Sequence, residues 1–162
     1  MWRILAMIGG VAGAAGLSQF PEFSQQYLQR LAGKVDALSA VVADFDASAA
    51  RNDLTREAAM AELAGTAFLD DRQADLRRSF AEHQRLSADL DQLRRASPLE
   101  RLTMPQRLGD PDTLAATWAD FRPALPATLD GAVSAVVGYV AGWSLLAGVW
   151  AMLAWPFRRR VA

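Results

Sequence analysis

One histidine, His83, and three close pairs of carboxylates, Asp44 with Asp46, Asp70 with Asp71 and Asp89 with Asp91, are the residues here whose types suit acid-base or metal chemistry. A histidine changes charge near neutrality and can ligate a metal through either ring nitrogen. His83 has no second histidine with which to share an ion, and its neighbour Glu82 points to a different helix face. It falls on an apolar stripe, so we read it as a seam residue with one nitrogen turned to water or a carbonyl. The paired carboxylates suggest cation binding or acid-base catalysis, but residues one or two apart on a helix do not converge on a point. Asp75 with Arg78 and Asp91 with Arg95 have the offsets of ordinary surface ion pairs, which makes the acidic pairs a solvated helix face. Most of the glycines lie inside apolar helices rather than in a phosphate-cradling loop, and no nucleophile elbow or metalloprotease motif occurs. Absence of cysteine removes disulfides, thiolate metal sites and cysteine nucleophiles together. The expectation is a protein that is not an enzyme and needs no cofactor or metal.

The elements that carry these residues announce themselves through charge. All 18 acidic residues lie between Glu22 and Asp130 with 13 of the 17 basic ones, so the middle carries 13 − 18 = −5 and the flanks only Arg3, Arg158, Arg159 and Arg160. An acidic centre between basic, apolar ends is not a nucleic-acid-binding balance.

Residues 132–157 form 26 positions without a charged side chain, roughly 39 Å of helix against roughly 30 Å of bilayer hydrocarbon. Trp155 and the cluster Arg158, Arg159 and Arg160 close this stretch as interfacial anchors. The first apolar stretch, Trp2 to Leu17, is shorter, and Arg3 with Ala12-Gly13-Ala14 also fits a signal peptide cleaved after Ala14. Trp2 and Arg3 make an anchor at its start, and we read it as a retained helix. Small residues stud both spans, Gly9, Gly10, Gly13 and Ala14 in the first and Gly131, Ala135, Gly138 and Gly142 in the second. Spacing of four places them on common faces, which let backbones approach closely in lipid. They suit oligomerisation or docking to a larger complex, or packing of the chain's own two spans against each other. Tyr139, Trp143 and Trp150 fall on a neighbouring face, suited to lipid or to a partner. No ion pathway is expected, because the interior of neither span carries a charge. Basic residues near the membrane concentrate at the termini, which places both ends in the cytoplasm and the middle in the periplasm.

Between the spans, Leu28, Leu31, Val35, Leu38, Val42 and Phe45 follow at alternating spacings of three and four, a coiled-coil seam. A second series, Leu76, Phe80, His83, Leu86, Leu90 and Leu93, runs to a stop at Ser97-Pro98. The expected fold is all-α: a first transmembrane helix over 1–20, a helical domain over 21–128, a second transmembrane helix over 129–157 and a basic cytoplasmic tail over 158–162. Within the domain, long helices over about 22–50 and 69–96 pack antiparallel, joined by short helices over about 54–67 and 111–121. Asn52 and Asp53 offer a cap, Gly65 and Asp70-Asp71 a break, and 97–111 a loop.

Two blocks at the junctions resemble a bacterial family of small two-span inner-membrane proteins catalogued only as a domain of unknown function. The first is Ser18-Gln19-Phe20-Pro21-Glu22-Phe23 with Gln25-Gln26-Tyr27 and Gln29-Arg30-Leu31; the second is Thr117-Trp118 with Phe121-Arg122-Pro123-Ala124, then Pro126, Thr128 and Gly131. The resemblance implies a bacterial inner-membrane protein and transfers no activity. In a hairpin both blocks lie at one membrane face, so Phe20, Phe23 and Tyr27 are expected against Trp118 and Phe121, with Arg122 beside them, or else presented to another membrane protein. The function expected is a membrane-anchored structural or interaction protein whose partners are the bilayer and either further copies of itself or other inner-membrane subunits. The alternative is a periplasmic sensor that signals through a separate cytoplasmic protein.

Overall fold

The computed structural model describes residues 2–123 and 128–158, with side chains as far as residue 153. The fold is all-α, and no strand occurs among the described residues. Helix α1 (Trp2–Ser18) is followed after one residue by α2 (Phe20–Arg51), then α3 (Arg56–Glu62), α4 (Ala67–Arg95), α5 (Pro98–Arg101), a 3-10 turn at Pro105–Arg107, α6 (Pro111–Asp120) and α7 (Leu129–Arg158). The chain divides into two compact units, one of Met1–Gln26, Ala96–Pro105 and Thr117–Ala162 and the other of Tyr27–Arg95 and Gln106–Ala116.

Local chemistry sets the helix ends. Pro21 has no N–H to offer the carbonyl four residues back, so the helix breaks at Gln19 and restarts at Phe20. Helix α2 ends in a left-handed Asp53 (φ 58°), with Leu54 N–H donating to the Ala49 carbonyl and Asp53 N–H to that of Ala50. This is a Schellman closure with aspartate where glycine is usual. Asp53 therefore terminates α2, and the cap that opens α3 is Thr55, whose hydroxyl accepts from Ala58 N–H. Gly65 (φ 100°) makes the break before α4, and the Thr66 hydroxyl accepts from Leu69 N–H. The segment read as a loop holds α5, opened by a capping box in which Ser97 accepts from Glu100 N–H and the Glu100 carboxylate accepts from Ser97 N–H.

In the first unit α1 and α7 are the closest helix pair, and glycine is the reason. A β-carbon on Gly13 would fall inside the carbonyl of Gly138, and one on Gly142 inside that of Gly9. Pairing 9 with 142 and 13 with 138 makes the hairpin antiparallel, and bare glycine backbones gain the dispersion that drives helices together in an apolar medium. Ala6, 0% exposed, lies within the packed surface. The outward faces are apolar and open: only 17% of the hydrophobic window at the N-terminus and 11% of that in α7 is buried within the protein. By length and composition the helical run that begins at Trp2 and the segment Leu129–Leu153 of α7 are long and apolar enough to cross a membrane, and a core helix of a water-soluble domain would be better covered.

In the second unit Leu28, Leu31 and Val35 of α2 and Leu86, Leu90 and Leu93 of α4 are buried together with Leu108 from the segment before α6. Further along the same helices the cover thins. Leu38, Val42, Phe45, Leu76 and Phe80 are half-buried, and Val41 is 42% exposed. Phe45 meets Phe80 edge-on with centroids 5.4 Å apart, and the Arg56 guanidinium sits 5.1 Å above the Phe80 ring while pairing with Asp46.

Candidate functional site

Of the aromatics at the two junctions, Trp118 and Phe121 meet Phe23. Its ring lies edge-on to Trp118 at 6.0 Å and to Phe121 at 5.5 Å. These rings, with Phe20 and the end of α1, line an open-sided cavity of about 410 Å³ in which Gln19 is the polar member of the lining. The capping box of α5 holds Leu102 at its wall. Next to Leu102 in the chain, Arg101 is buried and donates to the Ser24 hydroxyl at 3.4 Å and to Gln25 Oε1 at 3.2 Å. Burial lowers the pKa of this guanidinium. Trp118 is 74% exposed, and Arg122 is exposed two residues before the chain leaves the described region.

Tyr27, grouped with these aromatics by sequence, is placed differently. It belongs to the second unit, where it is fully buried and its hydroxyl accepts from Asp110 N–H at 3.1 Å. Burial raises its pKa. Phe23 and Tyr27 share a helix face one turn apart, so position along α2 and not helical phase separates them: the division between units falls between Gln26 and Tyr27.

Of the small residues, Gly9, Gly10, Gly13, Gly138 and Gly142 are used within the chain's own hairpin, Gly10 against the Tyr139 ring. Ala14 and Ala135 are half-buried, and Gly131 is buried near the start of α7, its N–H donating to the Thr128 hydroxyl. Gly16 and Gly148 face open space. Trp143 and Trp150 are 39% and 41% exposed on α7. At the N-terminus Arg3 lies 5.8 Å from the Trp2 ring. The side chains of Trp155 and Arg158, and all of Arg159 and Arg160, lie outside the described residues.

The densest polar cluster was not visible in the sequence. Asp110 caps α6, accepting from Thr113 N–H at 3.1 Å and the Thr113 hydroxyl at 2.7 Å, and it also takes Lys34 at 3.1 Å and Arg85 at 3.2 Å. Lys34 further contacts Glu82 at 2.7 Å and Asp112 at 3.3 Å. Burial opposes the Asp110 charge, but the bonds from Thr113, Lys34 and Arg85 outweigh it and bring its pKa down to about 2. Burial likewise opposes the Lys34 charge, and its bonds to Glu82 and Asp110 prevail and raise its pKa. The sequence signal was an Asp-Pro-x-Thr helix start, which announces a cap and says nothing of Lys34 or Arg85. Every oxygen of the Asp110 carboxylate is engaged, so the cluster joins α2, α4 and α6 rather than offering an open site.

His83 donates to or accepts from the Ser39 hydroxyl at 2.8 Å, half-buried between α2 and α4. Among the described residues no group of three or more His, Cys, Asp or Glu side chains is placed to hold a metal ion.

No curated protein and no solved structure matches the chain. The family model described as "Protein of unknown function (DUF2937)" matches residues 1–159, and with that coverage, two membrane-length apolar helices and a helical middle, the chain belongs to this family.

Proposed function

We propose that this chain is a membrane-anchored structural or interaction protein of the bacterial inner membrane. Helices α1 and α7 cross the bilayer with both termini in the cytoplasm, and the intervening helical domain, with α2 and α4 antiparallel along their leucine seams, lies in the periplasm. The protein self-associates or serves as an accessory subunit of a larger membrane complex.

The observation that carries this reading is the outer surface of the α1 and α7 hairpin. Ile4, Met7, Ile8 and Val11 are 56–62% exposed, and Val136, Leu145, Met152 and Leu153 are 63–73% exposed. At about 25 cal/mol for each Å² of apolar surface, leaving these faces in water is unfavourable, whereas hydrocarbon accommodates them. The glycine faces are already consumed by the hairpin, so association with other chains falls to the outer faces of the spans and to the polar helices between them. The orientation rests on Arg3 and the arginines at 158–160.

Three measurements test the proposal. Alkaline carbonate should leave the protein in the membrane fraction, and a reporter inserted near residue 60 should be active only in the periplasm. Extraction in a mild detergent should yield a defined oligomer or a complex of fixed composition. Release by carbonate would refute the anchoring, a cytoplasmic reporter signal the orientation, and a lone monomer the interaction role.

A further inference from the structure

We propose that the aromatic cavity at the end of α1 holds one acyl chain of a membrane phospholipid, an inference that rests on the membrane reading above. It is lined by Gly16 and Leu17 in the last turn of α1, by Phe20, Phe23 and Phe121, and by the largely exposed Trp118. A volume of about 410 Å³ lies within the range of small-molecule sites, roughly 300–1,000 Å³. Water is a poor occupant, because an ordered water needs two to four polar partners and this lining supplies Gln19.

Continuity along α1 identifies the occupant. Steps of four carry the exposed strip Ile4, Ile8 and Ala12 to Gly16, which lines the cavity, and the same strip bears a second apolar hollow of about 470 Å³. The cavity is thus the end of a track that starts on the surface facing hydrocarbon. Beyond Gly16 the lining is Phe20, Phe23, Trp118, Phe121 and the side chains of Leu17 and Leu102, and these bulky groups keep the backbone of a second helix from approaching closely. Trp118 and the exposed Arg122 provide an interfacial ring and a positive charge suited to a lipid phosphate.

The test uses the full chain in vesicles of phosphatidylethanolamine and phosphatidylglycerol containing a trace of phosphatidylcholine with a mid-chain diazirine. After illumination, mass spectrometry of the peptides locates the label. Labelling is expected on Phe23, Leu102 and Phe121 as well as on the outer face of α1. The variant Gly16→Leu fills the cavity from a position with no atom within 4 Å of an added β-carbon, so the hairpin stays intact. It should reduce cavity labelling on the order of tenfold, as expected when about two methylenes lose their burial. Labelling at Ile4 and Ile8 should not change. Label confined to the outer faces, cavity label undiminished in Gly16→Leu, or disulfide-linked dimers of Trp118→Cys with the cavity unlabelled would each overturn the proposal. Carbonate extraction of the same vesicles separates the two readings. Protein washed off defeats the membrane reading, and protein retained with an unlabelled cavity defeats only the acyl-chain site.

Discussion

Replacing Asp110 with asparagine removes a negative charge from the point where α2, α4 and the start of α6 meet. The carboxylate is 2% exposed and accepts from Lys34, Arg85 and both the N–H and hydroxyl of Thr113. Burial alone would raise its pKa, yet these donors hold it at about 2 against an ordinary 3.8. A depression of that size is worth about 2 kcal/mol at neutral pH. The folded value lies below the unfolded one, so the contribution is complete above the unfolded pKa and is lost as pH falls from roughly 5 through the folded value. Asp110→Asn should therefore unfold about 2 kcal/mol more easily at pH 7, with the difference shrinking toward pH 2. Asp110→Ala should lose about 1 kcal/mol more, because the α6 cap goes with it. Lys34 keeps Glu82 and Asp112, and Arg85 is 52% exposed, so neither cation is stranded without solvent or a partner. Urea unfolding of the full chain in a mild detergent, followed by circular dichroism at several pH values, measures both effects. An Asp110→Asn variant within about 0.5 kcal/mol of the parent at pH 7, or one with the same acid sensitivity, would refute the assignment of this carboxylate as the joint of the domain.

Gly13→Leu should push α1 away from the Gly138 carbonyl and destabilise the hairpin by about 2 kcal/mol or more in a detergent titration. Gly148→Ala, in open space, should be neutral or stabilising by about 0.5–1 kcal/mol, and equal effects at the two sites would refute the close approach. A double-mutant cycle of Phe23→Ala and Trp118→Ala should show a coupling of about 0.5–1.5 kcal/mol from the edge-on rings, and additivity would mean that they do not interact.

The sequence by itself determined the two apolar helices, the charge partition and the all-helical class. Each depends on residue type summed over a window, or on a local signal such as Pro21 or the capping residues, and neither needs a distant partner. Even locally it misread Asp53, which closes α2 in the left-handed region, and it passed over the capping box at Ser97, because the competing signal of Pro98 reads equally as a stop or as a first turn. Phe23 was legible as a junction aromatic facing Trp118 and Phe121, but Tyr27, expected against the same two rings, lies in the other unit. Only the tertiary structure decided which faces meet. Periodicity marked the glycines at 9, 13, 138 and 142 as a close-packing surface without saying whether that surface would meet another chain or its own partner span, and the hairpin consumes it. The Asp110 cluster gathers Tyr27, Lys34 and Arg85 from 83, 76 and 25 residues away. Ion pairing has no sequence period, and the energy of a buried charge depends on neighbours that the fold alone delivers, so a joint of this kind stays silent until the helices are packed.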